Sequence, residues 1–347
     1  MLRIAVLGCG RIGRMHADNI AVHPRARLAA VFDIDRQSAE AVATRHDVRA
    51  TETAEALFAR TDVDAVLVAT STGTHADYIE KSVAVGKPVL CEKPIDLTLE
   101  RVNRCADAVL SKGVPVQIGF NRRFDPGHRA AWRAARAGEI GDLNQVIITS
   151  RDPGMPPRSY YEVAGGLFRD MVIHDFDLAR FMLAEEPTEV FAIGGRLIDP
   201  AMMAALDDYD SAMVVMRTKS GKQCHINNSR TSTYGYDQRV ELLGSTGMLI
   251  SGNRKPHELR RFGVGQSEAA EPYLDFFVER YREAFEAEID AFVHCVEAGD
   301  APEVGFEDGR RALILAEAAM RSAVEGRFVS VSEIEQNVAK GSIRNRP

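Results

Sequence analysis

The chain has 347 residues, of which 45% are hydrophobic and 27% are charged, a composition typical of a soluble globular protein with two domains. The net charge of −7 and the dispersed basic residues argue against nucleic-acid binding, and no run of about 18 apolar residues predicts a membrane span. We expect a cytoplasmic protein with reduced thiols, because no C-x-x-C pair occurs among its cysteines, which are Cys9, Cys91, Cys105, Cys224 and Cys295.

The first predicted element is a short strand that runs directly into a glycine-rich turn. Residues 3–7, Arg-Ile-Ala-Val-Leu, form a short and mostly apolar run, the sequence GCGRIG follows at residues 8–13, and a helical pattern covers residues 14–22. In such a unit the glycines allow a tight turn, a close approach to a pyrophosphate and close packing of the helix on the strand. The pattern therefore predicts a dinucleotide site that includes Gly8, Gly10, Arg11, Ile12 and Gly13.

A second strand supports this interpretation because it ends in an acidic residue. Residues 28–32 are apolar, and Asp33 follows them. A carboxylate at this position can accept hydrogen bonds from the adenosine ribose and would repel a 2′-phosphate, which favours NAD over NADP. Arg36 lies close enough to weaken that preference, so it is a further candidate cofactor contact. The alternative is a solvated Asp33 after an ordinary turn.

Three more strands of the same sheet are predicted at residues 64–69, at residues 88–91 and near residues 114–118. Open α/β sheets bind their ligands beyond the carboxyl ends of parallel strands. We therefore expect residues that follow these strands to contribute to the cofactor site. They are Thr70, Ser71, His75, Glu92 and Lys93.

Lys93, within the tripeptide Glu92-Lys93-Pro94, is a candidate catalytic residue. An ammonium group there can donate a hydrogen bond to a hydroxyl that is losing its proton and stabilise the developing negative charge. The alternative is structural, with Lys93 paired to Glu92 or to a surface carboxylate.

The second half of the chain predicts a different architecture. Strand patterns recur at residues 144–150, 190–194, 212–218, 223–229 and 240–243. Their alternation indicates a large, mostly antiparallel sheet. Amphipathic helices are predicted at residues 283–296 and 309–323, and we expect both to pack near the first domain. The prediction is therefore an α/β domain over residues 1–120 and an α+β domain over residues 121–347.

Three titratable residues, Asp170, His174 and Asp177, fall at i, i+4 and i+7 of a predicted helix with apolar residues around them. The spacing places them on one face of a buried helix. A satisfied structural network is one explanation. A metal site is a second, although no other His, Asp or Glu cluster and no cysteine spacing supports it. Acid–base catalysis is the third, with His174 moving a proton and Asp170 fixing its tautomer.

The order of these motifs resembles the glucose–fructose oxidoreductase / inositol dehydrogenase superfamily over essentially the whole chain. The motifs are G-x-G-x-x-G, the E-K-P tripeptide and D-x-x-x-H-D at residues 170–175. Residues 119–126, 165–170 and 234–237 are similar to those of the bacterial inositol 2-dehydrogenases. Ser71-Thr72 departs from the Pro-Asn that is often found in this superfamily, which affects how the nicotinamide ribose would be held.

The resemblance implies an N-terminal Rossmann domain and a reversible NAD-dependent oxidation of myo-inositol to 2-keto-myo-inositol. Lys93, Asp170 and His174 match the catalytic trio, with His174 as the base and Asp170 as its orienting partner. Asp177 matches a position that faces substrate hydroxyls. No metal is implied. Family members commonly pair the open face of their second sheet with another subunit, so a homo-oligomer is expected, and the resemblance implies a tetramer.

A cyclitol presents many hydroxyls and almost no charge, so its pocket needs several short polar contacts. The candidates for substrate binding, besides Lys93, Asp170, His174 and Asp177, are Asn121, Arg122, Asp152, Tyr234 and Tyr236. Arg122 has an alternative role in pairing with Asp125, and the two tyrosines would share a strand face with or without a ligand.

Two alternatives to this function remain from the sequence. The first is the same chemistry on another cyclitol, an aldose or a sugar acid, with NAD or NADP. The second is a non-catalytic NAD-binding sensor, against which the joint presence of Lys93, Asp170 and His174 argues.

Overall fold

The computed structural model describes residues 1–336, which form two compact units. Met1–Asn121 and Phe285–Leu313 form the first unit. Arg122–Ala284 and the described residues from Ile314 onward form the second. The predicted division at residue 120 places all of residues 121–347 in the second domain. The expectation that the helix at residues 283–296 packs near the first domain is met, because Phe285–Leu313 belongs to the first unit. We therefore correct that division by adding Phe285–Leu313 to the first unit.

A six-stranded parallel sheet lies at the centre of the first unit. Its strands are β1 (Leu2–Leu7), β2 (Ala26–Phe32), β3 (Arg49–Ala50), β4 (Ala65–Val68), β5 (Val89–Glu92) and β6 (Val116–Gly119). They lie in the order β3-β2-β1-β4-β5-β6, so the direction of the order reverses beside β1. The carboxyl ends of β1 and β4 flank this switch point, which is where such sheets bind ligands.

Helices connect the strands of this sheet. They are α1 (Arg11–Val22), α2 (Arg36–His46), α3 (Ala54–Phe58), α4 (His75–Ala84) and α5 (Leu99–Lys112). Side chains cap the first turns of three of them: Asp35 accepts from backbone N–H groups of α2, Thr53 from α3 and Thr98 from α5. In contrast, no side chain caps the start of α1 at Gly10.

The second unit contains a seven-stranded sheet and a separate hairpin. The strands are β7 (Leu143–Arg151), β8 (Pro187–Gly195), β9 (Ser211–Thr218), β10 (Gln223–Ser229), β11 (Asp237–Gly244), β12 (Met248–Ser251), the hairpin β13 (Arg260–Gly263) and β14 (Gln266–Ala270), and β15 (Val329–Ser330). The large sheet has the order β12-β11-β7-β10-β9-β8-β15, and only β7 and β10 pair in parallel among its strands. The predicted fold class, with its mostly antiparallel second sheet, is confirmed.

One face of this sheet is exposed and carries several apolar residues among polar ones. Strand registers place the exposed residues Ile193, Met213, Val215, Leu243 and Ile250 on the same face. The opposite face is buried, as the alternation along β9 shows. The helices of this unit are α6 (Pro126–Arg136), α7 (Arg158–Ala164), α8 (Ile173–Leu183), α9 (Pro200–Ala205) and α10 (Phe277–Arg280).

Two long helices, α11 (Arg282–Ala298) and α12 (Phe306–Glu325), precede β15 and lie where amphipathic helices are predicted. Ile289, Phe292 and Val293 of α11 belong to the same buried cluster as Ile4 and Leu67 of the first sheet. The nucleotide-binding unit is thus completed by residues from the far end of the chain. Within residues 1–336 no helix is both long enough and apolar enough to span a bilayer.

Candidate active site

The glycine turn between β1 and α1 has the geometry of a phosphate-binding loop. Gly8 has a φ of +92°, and a Cβ there would lie 2.3 Å from the carbonyl oxygen of Ala69. A Cβ on Gly13 would lie 1.8 Å from the carbonyl oxygen of Gly8. A Cβ on Gly10, in contrast, would meet no protein atom within 4 Å. Gly8 and Gly13 are therefore required for close packing of the backbone in this turn. Gly10 faces open space beside the N-terminus of α1, which no side chain caps, and this space fits a pyrophosphate.

Asp33 directly follows β2 and is half-buried. Its Oδ2 accepts a hydrogen bond from the backbone N–H of Cys9 at 2.6 Å, and its Oδ1 accepts from the N–H of Asp35 at 2.8 Å. The carboxylate is thus held against the glycine turn with lone pairs left for ribose hydroxyls. Arg36 forms an exposed ion pair with Glu40 on its own helix, which weighs against a cofactor contact, although that contact stays a prediction.

The loop after β4 contains the hydroxyl residues predicted to lie near the cofactor. Thr70 is half-buried, with its Oγ1 2.7 Å from Oγ1 of Thr74, and Ser71 is exposed. His75 is 2% exposed, and its two ring nitrogens lie 3.0 Å from the carbonyl oxygen of Thr70 and 2.8 Å from that of Pro94. His75 therefore joins the loops after β4 and β5, which favours a positioning role over direct cofactor contact.

The tripeptide at the end of β5 presents two different environments. Lys93 is half-buried and follows the last residue of the strand. The carboxylate of Glu92 instead faces α1, where its Oε1 lies 2.7 Å from Nε2 of His16. Direct binding of cofactor by Glu92 stays a prediction, and the contact with His16 weighs against it. Arg11 is exposed and Ile12 is half-buried at the start of α1.

The helix that carries Asp170 and His174 is not regular. Phe168–Val172 forms a π-helical turn, and α8 continues from Ile173. The regular spacing that predicts one face for Asp170, His174 and Asp177 is therefore interrupted between the first two residues. Inserted π turns are frequent at functional sites because they reorient side chains within a helix.

Asp170 is the centre of a buried polar network. Its Oδ1 accepts a hydrogen bond from the hydroxyl of Tyr160 at 2.7 Å, and its Oδ2 accepts from Arg230 at 2.9 Å. The same guanidinium lies 3.9 Å from Oδ2 of Asp152 and 5.2 Å from the ring centre of Tyr161. Two predicted site residues, Asp170 and Asp152, are thus joined by Arg230, which the sequence patterns do not single out.

Burial and the charges of this network act in opposite directions on the pKa values of Asp152 and Arg230. Burial raises the pKa of Asp152 to about 6, Arg230 opposes that rise, and the charge of Asp170 adds to it. Burial acts to lower the pKa of Arg230, but Asp170 and Asp152 outweigh it and hold the guanidinium charged. His174, half-buried, lies four residues after Asp170 in the same helical segment.

Arg122 and Asn121 open the short 3₁₀ turn that follows β6, and both are buried. Arg122 binds Asp175, whose other carboxylate oxygen accepts from the side-chain amide of Asn228 at 2.9 Å. Asp125, the partner that the sequence offers for Arg122, instead pairs with Arg280 at 2.5 Å. The structure thus gives Arg122 a structural pairing with a different acidic residue, and its contact with substrate stays a prediction.

Asp177 lies 1% exposed in α8 and forms a bidentate pair with Arg123. Nε of Arg123 donates to Oδ2 at 2.8 Å, and a terminal nitrogen donates to Oδ1 at 2.5 Å. Both oxygens of Asp177 therefore already accept hydrogen bonds. This pairing weighs against the predicted contact with substrate hydroxyls and favours a structural role for the residue.

The prediction that Tyr234 and Tyr236 share a strand face is wrong. They lie in a turn before β11, because Gly235 between them has a φ of +110°. Tyr234 is 43% exposed, and its hydroxyl donates to Asp237 at 2.8 Å, whereas Tyr236 is 5% exposed. Substrate binding by either tyrosine stays a prediction, and the two cannot do so from one face.

Several residues at these positions carry no recognisable sequence motif. Arg230 and Tyr160 contact Asp170 from 60 and 10 residues away. His16 contacts Glu92, and Glu288 contacts Gln117, across similarly long distances in the sequence. The sequence signal for each of these two residues is that it is polar at a position within the apolar face of a helix. Asp175 directly follows His174 in the motif at residues 170–175, and this position is a sequence signal by which Asp175 could have been chosen as a site residue.

The comparisons with known proteins agree along the chain. Residues 2–120 match the family model described as an oxidoreductase family with an NAD-binding Rossmann fold, and residues 128–250 match the GFO/IDH/MocA C-terminal domain. The chain is 45% identical to the inositol 2-dehydrogenase of Rhizobium meliloti, over 95% of this chain and 99% of that protein. It is 40% identical to the myo-inositol 2-dehydrogenase of Thermotoga maritima, over 96% and 99% of the two chains.

Solved structures extend this similarity to the fold. The myo-inositol dehydrogenase of Corynebacterium glutamicum superposes with a TM-score of 0.92 at 41% identity, over 95% of this chain and 98% of the other. The myo-inositol dehydrogenase of Lactobacillus casei, solved with NAD(H) and myo-inositol, has a TM-score of 0.85 at 27% identity, over 95% and 96% of the two chains. The chain therefore belongs to the GFO/IDH/MocA oxidoreductase family, and its first unit is the NAD-binding Rossmann domain of that family.

Proposed function

We propose that this protein is an NAD-dependent inositol 2-dehydrogenase that oxidises myo-inositol to 2-keto-myo-inositol. The observation that carries the proposal is the buried network in which Arg230 joins Asp170 and Asp152, in the same unit as His174. Such a set of carboxylates, a guanidinium and a phenol suits an uncharged ligand with many hydroxyls. The names of the relatives at 45% and 40% identity support the same substrate class.

The cofactor would be held mainly by the backbone of the glycine turn and by Asp33. The open space at Gly10 admits a pyrophosphate next to the N-terminus of α1, which no side chain caps, and Asp33 would accept hydrogen bonds from the ribose. When bound, NAD supplies the acceptor for the hydride that leaves the carbinol carbon.

The remaining chemistry is proton transfer, for which we propose three residues. His174 accepts the proton of the reacting hydroxyl as general base. Asp170 orients His174 and stabilises the imidazolium that forms, and Lys93 donates a hydrogen bond that stabilises the negative charge on the oxygen. Arg230 keeps Asp170 ionised, because losing that carboxylate's charge would break a buried ion pair.

One different substrate is favoured by a specific observation. The chain is 37% identical to the scyllo-inositol 2-dehydrogenase (NAD+) of Bacillus subtilis, over 87% of this chain and 88% of that protein. The second candidate is therefore the same reaction on scyllo-inositol, which differs from myo-inositol only in the configuration of one hydroxyl.

A single panel of assays tests these proposals. NADH formation is followed by absorbance with myo-inositol, scyllo-inositol and several aldoses and sugar acids, each with NAD and with NADP. We expect the highest kcat/KM with myo-inositol and NAD. A higher kcat/KM with scyllo-inositol would make scyllo-inositol the substrate instead of myo-inositol. If no compound of the panel is oxidised, the result would favour a non-catalytic NAD-binding protein.

We further propose that the protein is a cytoplasmic homo-oligomer. Its resemblance to the family implies a tetramer. A second copy as the partner of the exposed sheet face is supported by the large apolar residues on that face, which are Ile193, Met213, Val215, Leu243 and Ile250. All five cysteines are free and buried, as expected in a reducing compartment. Light scattering coupled to gel filtration measures the mass, and a monomer would contradict the proposal.

A further inference from the structure

Two polar residues occupy core positions of helices in the first unit. His16 lies in the buried stripe of α1 and Glu288 in the buried stripe of α11. Each stripe follows the i, i+3, i+4, i+7 spacing of an apolar helix face. The buried neighbours are Gly13, Ala17 and Ile20 in α1 and Phe285, Ile289 and Phe292 in α11.

These two residues meet Glu92 in the interior. Nε2 of His16 lies 2.7 Å from Oε1 of Glu92, and one donor or acceptor atom of each of the three residues lies within 4.8 Å of the others. Glu288 is 0% exposed, and within residues 1–336 neither of its carboxyl oxygens has a hydrogen-bond partner. An enclosed carboxyl group without partners is costly, so this one needs a proton or a ligand.

The side chains gathered around Glu288 are identified among residues 1–336. His16 on α1 and Glu92 on β5 are the titratable groups of the cluster, and β6 contributes Gln117, which is neutral. The side-chain amide of Gln117 donates to the backbone carbonyl of Glu288 at 3.0 Å and not to its carboxyl group. Burial and the charge of Glu92 both raise the pKa of Glu288 well above its usual value.

His16 and Glu92 lie closer together than two ligands of one tetrahedral metal ion. Two ligands of one tetrahedral ion with bonds of about 2.0 Å lie about 3.3 Å apart. His16 and Glu92 are 2.7 Å apart, which is the distance of a hydrogen bond. His16 and Glu92 are therefore placed to share a proton.

We propose that Glu288 is a neutral carboxylic acid that positions Glu92 and the Lys93 that follows it. Its carboxyl group lies within 4.8 Å of the His16–Glu92 pair and, within residues 1–336, makes no hydrogen bond, so it donates to the pair after a rotation of its side chain. Glu288 acts through Glu92 and is a positioning residue, and its effect on turnover rests on the proposed function of Lys93. The nucleotide-binding unit thus depends on an acid supplied by α11, 196 residues after Glu92.

The protonation state is tested without any assay of turnover. Glu288→Gln keeps the shape and a donor but cannot ionise, and the exposed residue of the same helix changed in Glu286→Gln is the matched control. The native state of the wild type must keep a proton that the unfolded chain releases above pH 4 to 5. The Tm of Glu288→Gln minus that of the wild type should therefore rise with pH between 5 and 8, by about 2 °C per pH unit.

Infrared spectroscopy supplies a second signature of the same state. The wild type should show the C=O stretching band of a protonated carboxylic acid at neutral pH, and the Glu288→Gln variant should lack it. A Tm difference that does not change with pH, or the absence of this band, would overturn the proposal. A fall of the wild-type Tm on adding EDTA would also overturn it, because the cluster would then hold a cation.

The positioning role is tested by turnover. Glu288→Met preserves volume without a donor, and we expect its kcat to fall about tenfold with little change in the affinity for NAD. Glu288→Gln should restore most of that loss. If Glu288→Met keeps the kcat of the wild type, the proposed positioning role of Glu288 is wrong. If the wild type itself turns over no polyol, the proposed function fails, while the Tm and infrared results still decide the protonation of Glu288.

Discussion

Arg230 donates to Asp170 at 2.9 Å, from a position that is 2% exposed. The contact joins the strand region after β10 to the helical segment that carries His174. Because the guanidinium also lies 3.9 Å from Asp152, it is the shared counter-charge of two carboxylates. Its removal would take the counter-charge from both carboxylates, which is more costly than the loss of a surface ion pair.

We therefore expect Arg230→Met to lower kcat/KM by at least about tenfold and to lower Tm. The pH–rate profile should also shift, because Asp170 would lose the charge that favours its ionised form. Steady-state kinetics across pH measures both effects. Arg217→Met, in an exposed ion pair with Glu189, is the control and should behave as the wild type. An unchanged profile in Arg230→Met would show that the network has no part in turnover.

His174→Ala should reduce turnover by a factor on the order of 10² or more, because it removes the proposed general base. Binding of NAD should survive, since the cofactor is assigned to the first unit. Kinetics at saturating substrate and calorimetric titration with NAD measure the two quantities. His257→Ala, at an exposed histidine, is the matched control. A near-normal rate in His174→Ala would exclude the acid–base role.

Substitutions at two glycines of the first turn should affect different properties, stability at Gly13 and cofactor binding at Gly10. Gly13→Ala places a Cβ 1.8 Å from a backbone carbonyl, so it should lower Tm by several degrees. Gly10→Ala meets no protein atom and should keep the wild-type Tm while weakening NAD binding. Thermal denaturation without NAD, followed by titration, distinguishes them. Equal NAD affinity in Gly10→Ala and the wild type would contradict the assigned pyrophosphate site.

Asp33→Ser should weaken NAD binding and reduce the discrimination against NADP by about tenfold or more, because a like-charge repulsion is removed. The ratio of kcat/KM values for the two cofactors measures this. Asp107→Ser, at an exposed position of the same unit, should leave the ratio unchanged. Unchanged selectivity in Asp33→Ser would refute the ribose contact.

Asp152 should make stability depend on pH in the acid range. Its pKa is raised from 3.8 to about 6, so its native form holds a proton that the unfolded chain releases at lower pH. The favourable contribution is complete below about pH 4 and is lost as pH rises through 6. The Tm of Asp152→Asn minus that of the wild type should therefore increase between pH 4 and 6 and then level off. A difference that is constant over this range would show that Asp152 has an ordinary pKa.

The sequence predicts best where the chemistry depends on neighbours in the chain. Gly8, Gly10, Gly13 and Asp33 lie as their spacing indicates, because one strand–turn–helix unit and the next strand place them. Lys93 likewise follows from the end of a strand. These positions are set by local structure, which residue patterns describe directly.

The sequence predicts least where one residue's role is set by a distant partner. Arg123 pairs with Asp177 and Asp175 pairs with Arg122, and no sequence pattern indicates either pairing. The π turn at Phe168–Val172 leaves no signal in the apolar spacing of the segment. The turn at Gly235 likewise separates two tyrosines that alternation alone would place together.

The packing of α11 against the first sheet also determines when this domain can fold. Ile289, Phe292 and Val293 each remove apolar surface worth about 1.5–3 kcal/mol from water, and the ribosome makes them after more than four-fifths of the chain. Until then the nascent nucleotide-binding sheet has an uncovered apolar surface. A gene fragment that ends at residue 121 would carry every cofactor motif of the first 120 residues and still lack part of the core that makes them a stable domain.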